Sequence, residues 1–280
     1  MFERLSRSWQ LVKASGAVLQ QDKELLLFPL ISSLATIVVV AAFLLPLFGL
    51  GALDGLAGDG PITAAAYVVA FLFYLCQYFV IFFFNSALVG AAMIRLNGGD
   101  PTVADGLRIA RERMLPILGY AAIAATVGLL LQFLKNKDNF VIRMLGSLLG
   151  TAWTVASFLV VPVLVANKIG PIDAVKKSIE LLKTTWGENA VGQLGIGFVF
   201  GFIMAGVIII GVLLSILGFT VSPYLGGTIV VLTVLSALTV GIIQSALSGV
   251  YAAALYRFAN DGVAPQGFEG MGLQTAFQAK

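Results

Sequence analysis

Residues 62–94 read ITAAAYVVAFLFYLCQYFVIFFFNSALVGAAMI, without one charged residue. A helix needs about 20 mostly apolar residues to cross the hydrocarbon core of a bilayer. This run exceeds that by about ten, so the helix is expected to tilt or to run past the membrane surface. The run is continuous rather than alternating, which excludes a strand of a membrane β-barrel. Five more stretches have the same character, at about 25–50, 115–134, 140–166, 190–217 and 226–258. The first of them follows polar and mixed sequence, is too long for the core of a signal peptide, and has five spans after it. It is therefore expected to stay in the membrane.

Composition agrees. The 280 residues are 59% hydrophobic and 11% charged, with a mean hydropathy of +0.98. An ordinary soluble domain is nearer a quarter charged. A soluble enzyme, a disordered chain and a disulfide scaffold are all excluded. There is no histidine, which removes the commonest general base, metal ligand and physiological proton switch. The single cysteine, Cys76, sits in an apolar run and reads as a packing residue. The net charge of +3 is too small to suggest nucleic acid, and no cofactor is expected.

The positive charges set an orientation. Arg4, Arg7, Lys13 and Lys23 precede the first span. Arg95, Arg108, Arg111 and Arg113 follow the second. Lys168, Lys176, Lys177 and Lys183 follow the fourth, and Arg257 and Lys280 follow the sixth. Only Lys135, Lys137 and Arg143 fall on the other side. Positive charge stays on the cytoplasmic side, so both termini are expected there.

The segments on that side carry helical patterns of their own. Arg7-Ser8-Trp9-Gln10-Leu11-Val12-Lys13 matches Lys177-Ser178-Ile179-Glu180-Leu181-Leu182-Lys183 position by position. Both sit in amphipathic stretches with a cationic face, and residues 103–114 are a weaker copy. Such helices lie in the membrane interface with their lysines reaching toward headgroups. Asn97, Pro101 and Ala104 recur as Asn167, Pro171 and Ala174, and Ser86-Ala87-Leu88 recurs as Ser245-Ala246-Leu247. The expected fold is all-α: a polytopic membrane protein of six transmembrane helices with three cytoplasmic amphipathic interfacial helices. It would comprise one domain, residues 1–260, in three helix–span–span units of about 1–97, 98–167 and 168–260, followed by a flexible cytoplasmic tail over 261–280.

Ser8-Trp9-Gln10-Leu11 leading to Leu27-Phe28-Pro29-Leu30 resembles a family of uncharacterised bacterial six-span membrane proteins, over nearly the whole chain. That resemblance implies the fold and a bacterial inner membrane. Asp173-Ala174-Val175-Lys176-Lys177-Ser178 with Trp186 resembles, more loosely, the membrane domain attached to some glycerophosphodiester phosphodiesterases. About thirty residues at the start resemble the sulfate-permease family with interfacial helices.

No span core carries an Asp, Glu, Lys or Arg. Intramembrane charge is the usual mark of proton relays and ion-coupled transport. A histidine-assisted nucleophile is impossible here. Asp54 and Asp59, in a Gly-rich loop, read as a flexible charged turn rather than a catalytic pair. The chain is expected not to be an enzyme.

Neutral polar groups remain. Tyr67, Phe71, Tyr74, Tyr78 and Asn85 fall near one helical face of the second span, with Gln244 and Ser245 in the sixth. They read either as the wall of a pore or ligand groove, or as hydrogen-bonding groups between helices, which is the favoured reading. Gly197, Gly201 and Ala205, and likewise Ser245, Gly249 and Ala253, suggest close helix packing within the bundle, with a dimer seam as the alternative.

Two functions stand out. The first is a non-catalytic, lipid-contacting scaffold or accessory component of a membrane complex. Its anionic-lipid contacts would be Arg4, Arg7, Lys13, Arg108, Arg111, Lys176, Lys177 and Lys183. The second is a passive channel or permease for ions or small solutes, along Tyr67, Tyr74, Tyr78, Asn85, Gln244 and Ser245. The expected partners are membrane lipids, anionic ones among them, and a second copy or another membrane protein.

Overall fold

The computed structural model describes residues 13–49, 64–136, 139–184, 189–262 and 268. Among these residues all regular structure is helical. Helix α1 covers 13–21, and a 3-10 turn at Lys23–Leu26 leads into α2, Leu27–Gly49. Then come α3, Ala64–Leu96; α4, Val103–Glu112; and α5, Met114–Lys135. They are followed by α6, Phe140–Ser157; α7, Val160–Ala166; and α8, Pro171–Thr184. Two long helices complete the order: α9, Asn189–Val221, and α10, Pro223–Asp261. Among the described residues six stretches are long and apolar enough to cross a membrane: Lys23–Pro46, Ala66–Leu96, Met114–Lys135, Phe140–Ala166, Val199–Val221 and Pro223–Asp261. These coincide with the six sequence-derived spans. Their outward residues are large and apolar, as a hydrocarbon solvent requires; Leu115 is 77% exposed and Val221 78%. Arg4, Arg7, Asp54, Asp59, Lys137 and nearly all of 261–280 lie outside the described residues.

The fourth span is broken, and its sequence says why. Proline at position i has no N–H and its ring strikes the carbonyl of residue i−4. Pro162 therefore forbids a continuous helix at Phe158, where α6 gives way to α7. Phe158 N–H turns back to Val155 O at 3.2 Å, and two backbone groups lose helical partners. Ser178 on α8 takes up both. Its hydroxyl donates to Ala156 O at 2.7 Å and accepts from Leu159 N–H at 3.2 Å. Ser178 is fully buried, and α8 also buries Ala174, Leu181 and Leu182.

The chain divides into two compact units. Unit one comprises 1–29, 92–100 and 185–280; unit two comprises 30–91 and 101–184. In unit one, α9 and α10 form a long antiparallel pair joined through Ser222, whose side chain caps α10 by accepting from Tyr224 N–H at 3.3 Å. Gly211 faces Thr233, and Gly218 meets Gly226, so closely that an added Cβ would collide. The sequence expectation about small residues needs correcting here. Gly249 and Ala253 are buried, but Gly197 and Gly201 face open space, Ala205 is exposed, and Ser245 is exposed. A four-residue spacing of small residues permits close approach but does not supply the partner helix.

The core of unit one includes Leu25, Phe28, Leu96, Tyr251 and Leu255, all nearly inaccessible. Beside it, the Arg95 guanidinium grips Asp22 with two nitrogens and also reaches Asp100. Arg257 donates to Leu96 O at 2.8 Å. One planar fork thus ties the end of α3 to the turn ahead of α2, with the two-pronged geometry that guanidinium and carboxylate favour.

Candidate functional site

Unit two holds a polar chamber of about 550 Å³ between α3, α5 and α6. On α5 its wall is Ala124, Gly128, Leu131, Gln132 and Lys135, one stripe at helical spacing. From Ala124 to Lys135 that stripe rises roughly 16 Å, about half the hydrocarbon thickness. On α6 the wall is Ser147, Gly150, Thr151, Trp153 and Thr154, and α3 contributes Tyr74 and Tyr78.

Small residues make this space. A Cβ at Gly128 would stand 3.2 Å from the Tyr78 hydroxyl, and one at Gly150 would stand 3.9 Å from Lys135 Nζ. Each glycine admits one hydrogen-bonding head between the helices. The hydroxyls of α6 are oriented by their own helix. Ser147 donates to Arg143 O at 3.1 Å, Thr151 to Ser147 O at 3.0 Å, and Thr154 to Gly150 O at 2.9 Å. Their hydrogens are committed to the backbone, so the chamber receives their lone pairs as acceptors. Donors come from the tyrosine hydroxyls, the Gln132 amide and the Lys135 ammonium. Among the described residues, Lys135 is the only charged one in the lining.

The two tyrosines of the wall belong to a row of aromatic rings. Tyr74 stacks on Tyr78 at 6.2 Å, Tyr78 on Phe82 at 5.6 Å, and Phe82 on Tyr120 at 4.5 Å. Tyr120 is 2% exposed, with Ile117 and Ala121 buried beside it in sequence.

Of the sequence-derived polar candidates, Tyr74 and Tyr78 meet in this wall. Tyr67 is exposed and Asn85 is half-buried, and neither lines the chamber. Gln244, half-buried, and Ser245, exposed, lie on α10 in unit one. The Gln77 side-chain oxygen and the Ser86 hydroxyl are buried without a hydrogen-bond partner among the described residues. Sequence reasoning passed over Lys135, Ser147, Thr151 and Thr154. The available signal was the i, i+4, i+7 spacing of three hydroxyls beside Gly146 and Gly150.

The second candidate surface is cationic. Helix α4 begins with a reciprocal cap. Asp105 N–H donates to the Thr102 hydroxyl oxygen at 3.2 Å, and Thr102 N–H donates to Asp105 Oδ2 at 3.1 Å. The Thr102 hydroxyl also donates to Asp105 Oδ2 at 2.6 Å. These bonds hold the Asp105 carboxyl below its ordinary range: first the Thr102 hydroxyl, then the Thr102 backbone, with Arg108 contributing. Arg108 and Arg111 are exposed. Lys13, on α1 in unit one, is exposed as well and is no part of this surface. On α8, Lys176 pairs with Asp173 at 3.5 Å and Lys177 with Glu180 at 3.2 Å. Such exposed pairs contribute little to stability. Lys183 is exposed at the end of the helix.

Residues 64–267 match the family of unknown function DUF6159. The chain belongs to that family. The matched region of this DUF6159 protein takes in all of α3 to α10, and with them the polar chamber and the cationic faces of α4 and α8. No curated protein and no solved structure matches the DUF6159 chain. Among its described residues no cluster of His, Cys, Asp and Glu is placed to hold a metal ion.

Proposed function

We propose that this protein is a non-catalytic component of a bacterial inner membrane, with both termini cytoplasmic, that acts as a lipid-contacting scaffold or accessory subunit. The observation that carries this reading is the outer face of α8. Ile172, Lys176, Ile179 and Lys183 follow one another at three- and four-residue steps, and Ile172 and Ile179 are 61% and 37% exposed. Apolar side chains alternating with lysines on one open face suit the boundary between acyl chains and anionic headgroups. The opposite face is fastened to the bundle through Ser178. Helix α4 likewise exposes Arg108 and Arg111. On this reading the helix–span–span repeat supplies interfacial helices of one kind. The likeness of residues 173–178 to a phosphodiesterase membrane domain then concerns such a helix and brings no activity with it.

The test is anionic-lipid enrichment around the reconstituted protein, measured with a spin-labelled phosphatidylglycerol. Changing Lys176 and Lys183 together to Glu should lower the enrichment, and added salt should lower it in the wild type. Enrichment unchanged by the reversal would reject the reading.

A passive channel is the second reading, favoured by the polar chamber. Opposing it is the position of Asn85 outside the chamber wall. Flux of monovalent ions, sulfate and small neutral solutes in proteoliposomes decides. Reproducible flux altered by Asn85→Leu would replace the scaffold with a channel.

A further inference from the structure

Two hollows in unit two share a wall. Across Leu131 and Trp153 from the polar chamber lies an apolar groove of about 660 Å³ between α5 and α6. Leu130, Phe133, Leu134 and Leu149 line it, and no charged or hydroxyl-bearing side chain does. A molecule spanning both hollows would meet a polar and an apolar compartment one side chain apart. Pockets of a few hundred cubic ångströms with a few convergent polar groups are the size and kind that hold small ligands.

The chemistry of the polar side narrows the ligand. Lys135 brings a positive charge to the wall, and among the described residues no carboxylate lines the chamber. An anionic group belongs beside Lys135, and a choline or ammonium group is repelled. On α6, Ser147, Thr151 and Thr154 offer acceptor lone pairs whose own hydrogens are spent on the backbone. Those acceptors face the open chamber and can take hydroxyl donors from the ligand. We propose that the chamber and groove together bind one membrane lipid with an anionic, hydroxyl-bearing headgroup of the phosphoglycerol type. Its phosphate sits at Lys135, its glycerol hydroxyls on the α6 hydroxyl row, and an acyl chain in the α5–α6 groove. This site shares no residue with the α4 and α8 surface, so it stands or falls separately from the scaffold reading.

The experiment is a native mass spectrometry titration of the purified full-length protein with phosphatidylglycerol, phosphatidic acid and phosphatidylcholine. The wild type should hold one phosphatidylglycerol at least tenfold more tightly than the other two. Lys135→Gln should lose tenfold or more for phosphatidylglycerol, and Lys135→Arg should keep it. Lys135 is exposed at a helix end, so both variants should fold, which unchanged helicity would verify. Thr151→Val with Thr154→Val should abolish the preference over phosphatidic acid and spare that over phosphatidylcholine. Glycerol 3-phosphate, the same head without chains, should not compete at a hundredfold excess. Competition by it would mean a soluble phosphopolyol and overturn the lipid. Undiminished binding to Lys135→Gln would overturn the site. Binding lost only when Lys176 and Lys183 are changed to Glu would also overturn it, by moving the lipid to α8.

Discussion

Replacing Arg95 with Met strands the Asp22 carboxylate. The Asp22 side chain is 8% exposed, Arg95 22% and Asp100 92%. Removing one member of a buried pair, with the other left charged and unpaired, costs about 3–5 kcal/mol. That is the loss expected for Arg95→Met. Asp22→Ala is milder, because Arg95 keeps Asp100 and some water; a lost hydrogen bond to a charged group is worth about 1.5–3 kcal/mol. Asp100→Ala removes only an exposed partner and should cost about 1 kcal/mol or less. The double variant Asp22→Leu, Arg95→Met leaves no stranded charge and should be more stable than Arg95→Met alone. Reversible unfolding in mixed micelles, titrated with sodium dodecyl sulfate and followed by circular dichroism, measures all four. The reasoning fails if Arg95→Met lies within 1 kcal/mol of wild type, if Asp100→Ala matches it, or if the two changes simply add.

Other expectations follow from local geometry. Ser178→Ala leaves Ala156 O and Leu159 N–H without a partner inside the bundle and should cost about 1–3 kcal/mol in the same titration. Gly211→Val drives a side chain into Thr233 and should destabilise by about 1–3 kcal/mol. Gly201→Ala, in open space, should be neutral or stabilising by up to about 1 kcal/mol. The stabilisation that Asp105 gives to the start of α4 should be complete above the ordinary carboxylate value of 3.8. It should fade as pH falls through the lower value of the folded state. In Thr102→Val the Asp105 carboxyl, followed by nuclear magnetic resonance, should titrate closer to the ordinary value.

The spans were legible because hydrocarbon imposes one requirement over some twenty residues, and the chain meets it six times. Pro162 forces the break in the fourth span, but the group that repairs it could not be read from the sequence. Ser178 lies 22 residues from the carbonyl it satisfies, and nothing in its immediate sequence singles it out for that role. The Asp22–Arg95 pair spans 73 residues and was unreadable for the same reason. Tyr74 and Tyr78 were found because aromatic and hydroxyl groups stand out in an apolar run. Ser147, Thr151 and Thr154 were missed because each bonds its own helix, and such a hydroxyl reads as backbone filler until a cavity is seen in front of it. Gly197 and Gly201 show the opposite error, a motif without its partner helix.

The make-up of unit one has a consequence for how the chain is made. Its 3-10 turn packs on α10, and Gly16 on α1 lies near Leu247. At ribosomal speeds of roughly 5–20 residues per second, about 10–45 s separate Asp22 from Tyr251. For that interval α1 and the turn have none of the α10 surface that finally covers them. Arg95 arrives far sooner and can hold Asp22 through the wait. The salt link then serves as a temporary clasp on a nascent chain, and its loss should show first as slow or failed insertion in pulse-labelled cells, before any defect in the finished protein.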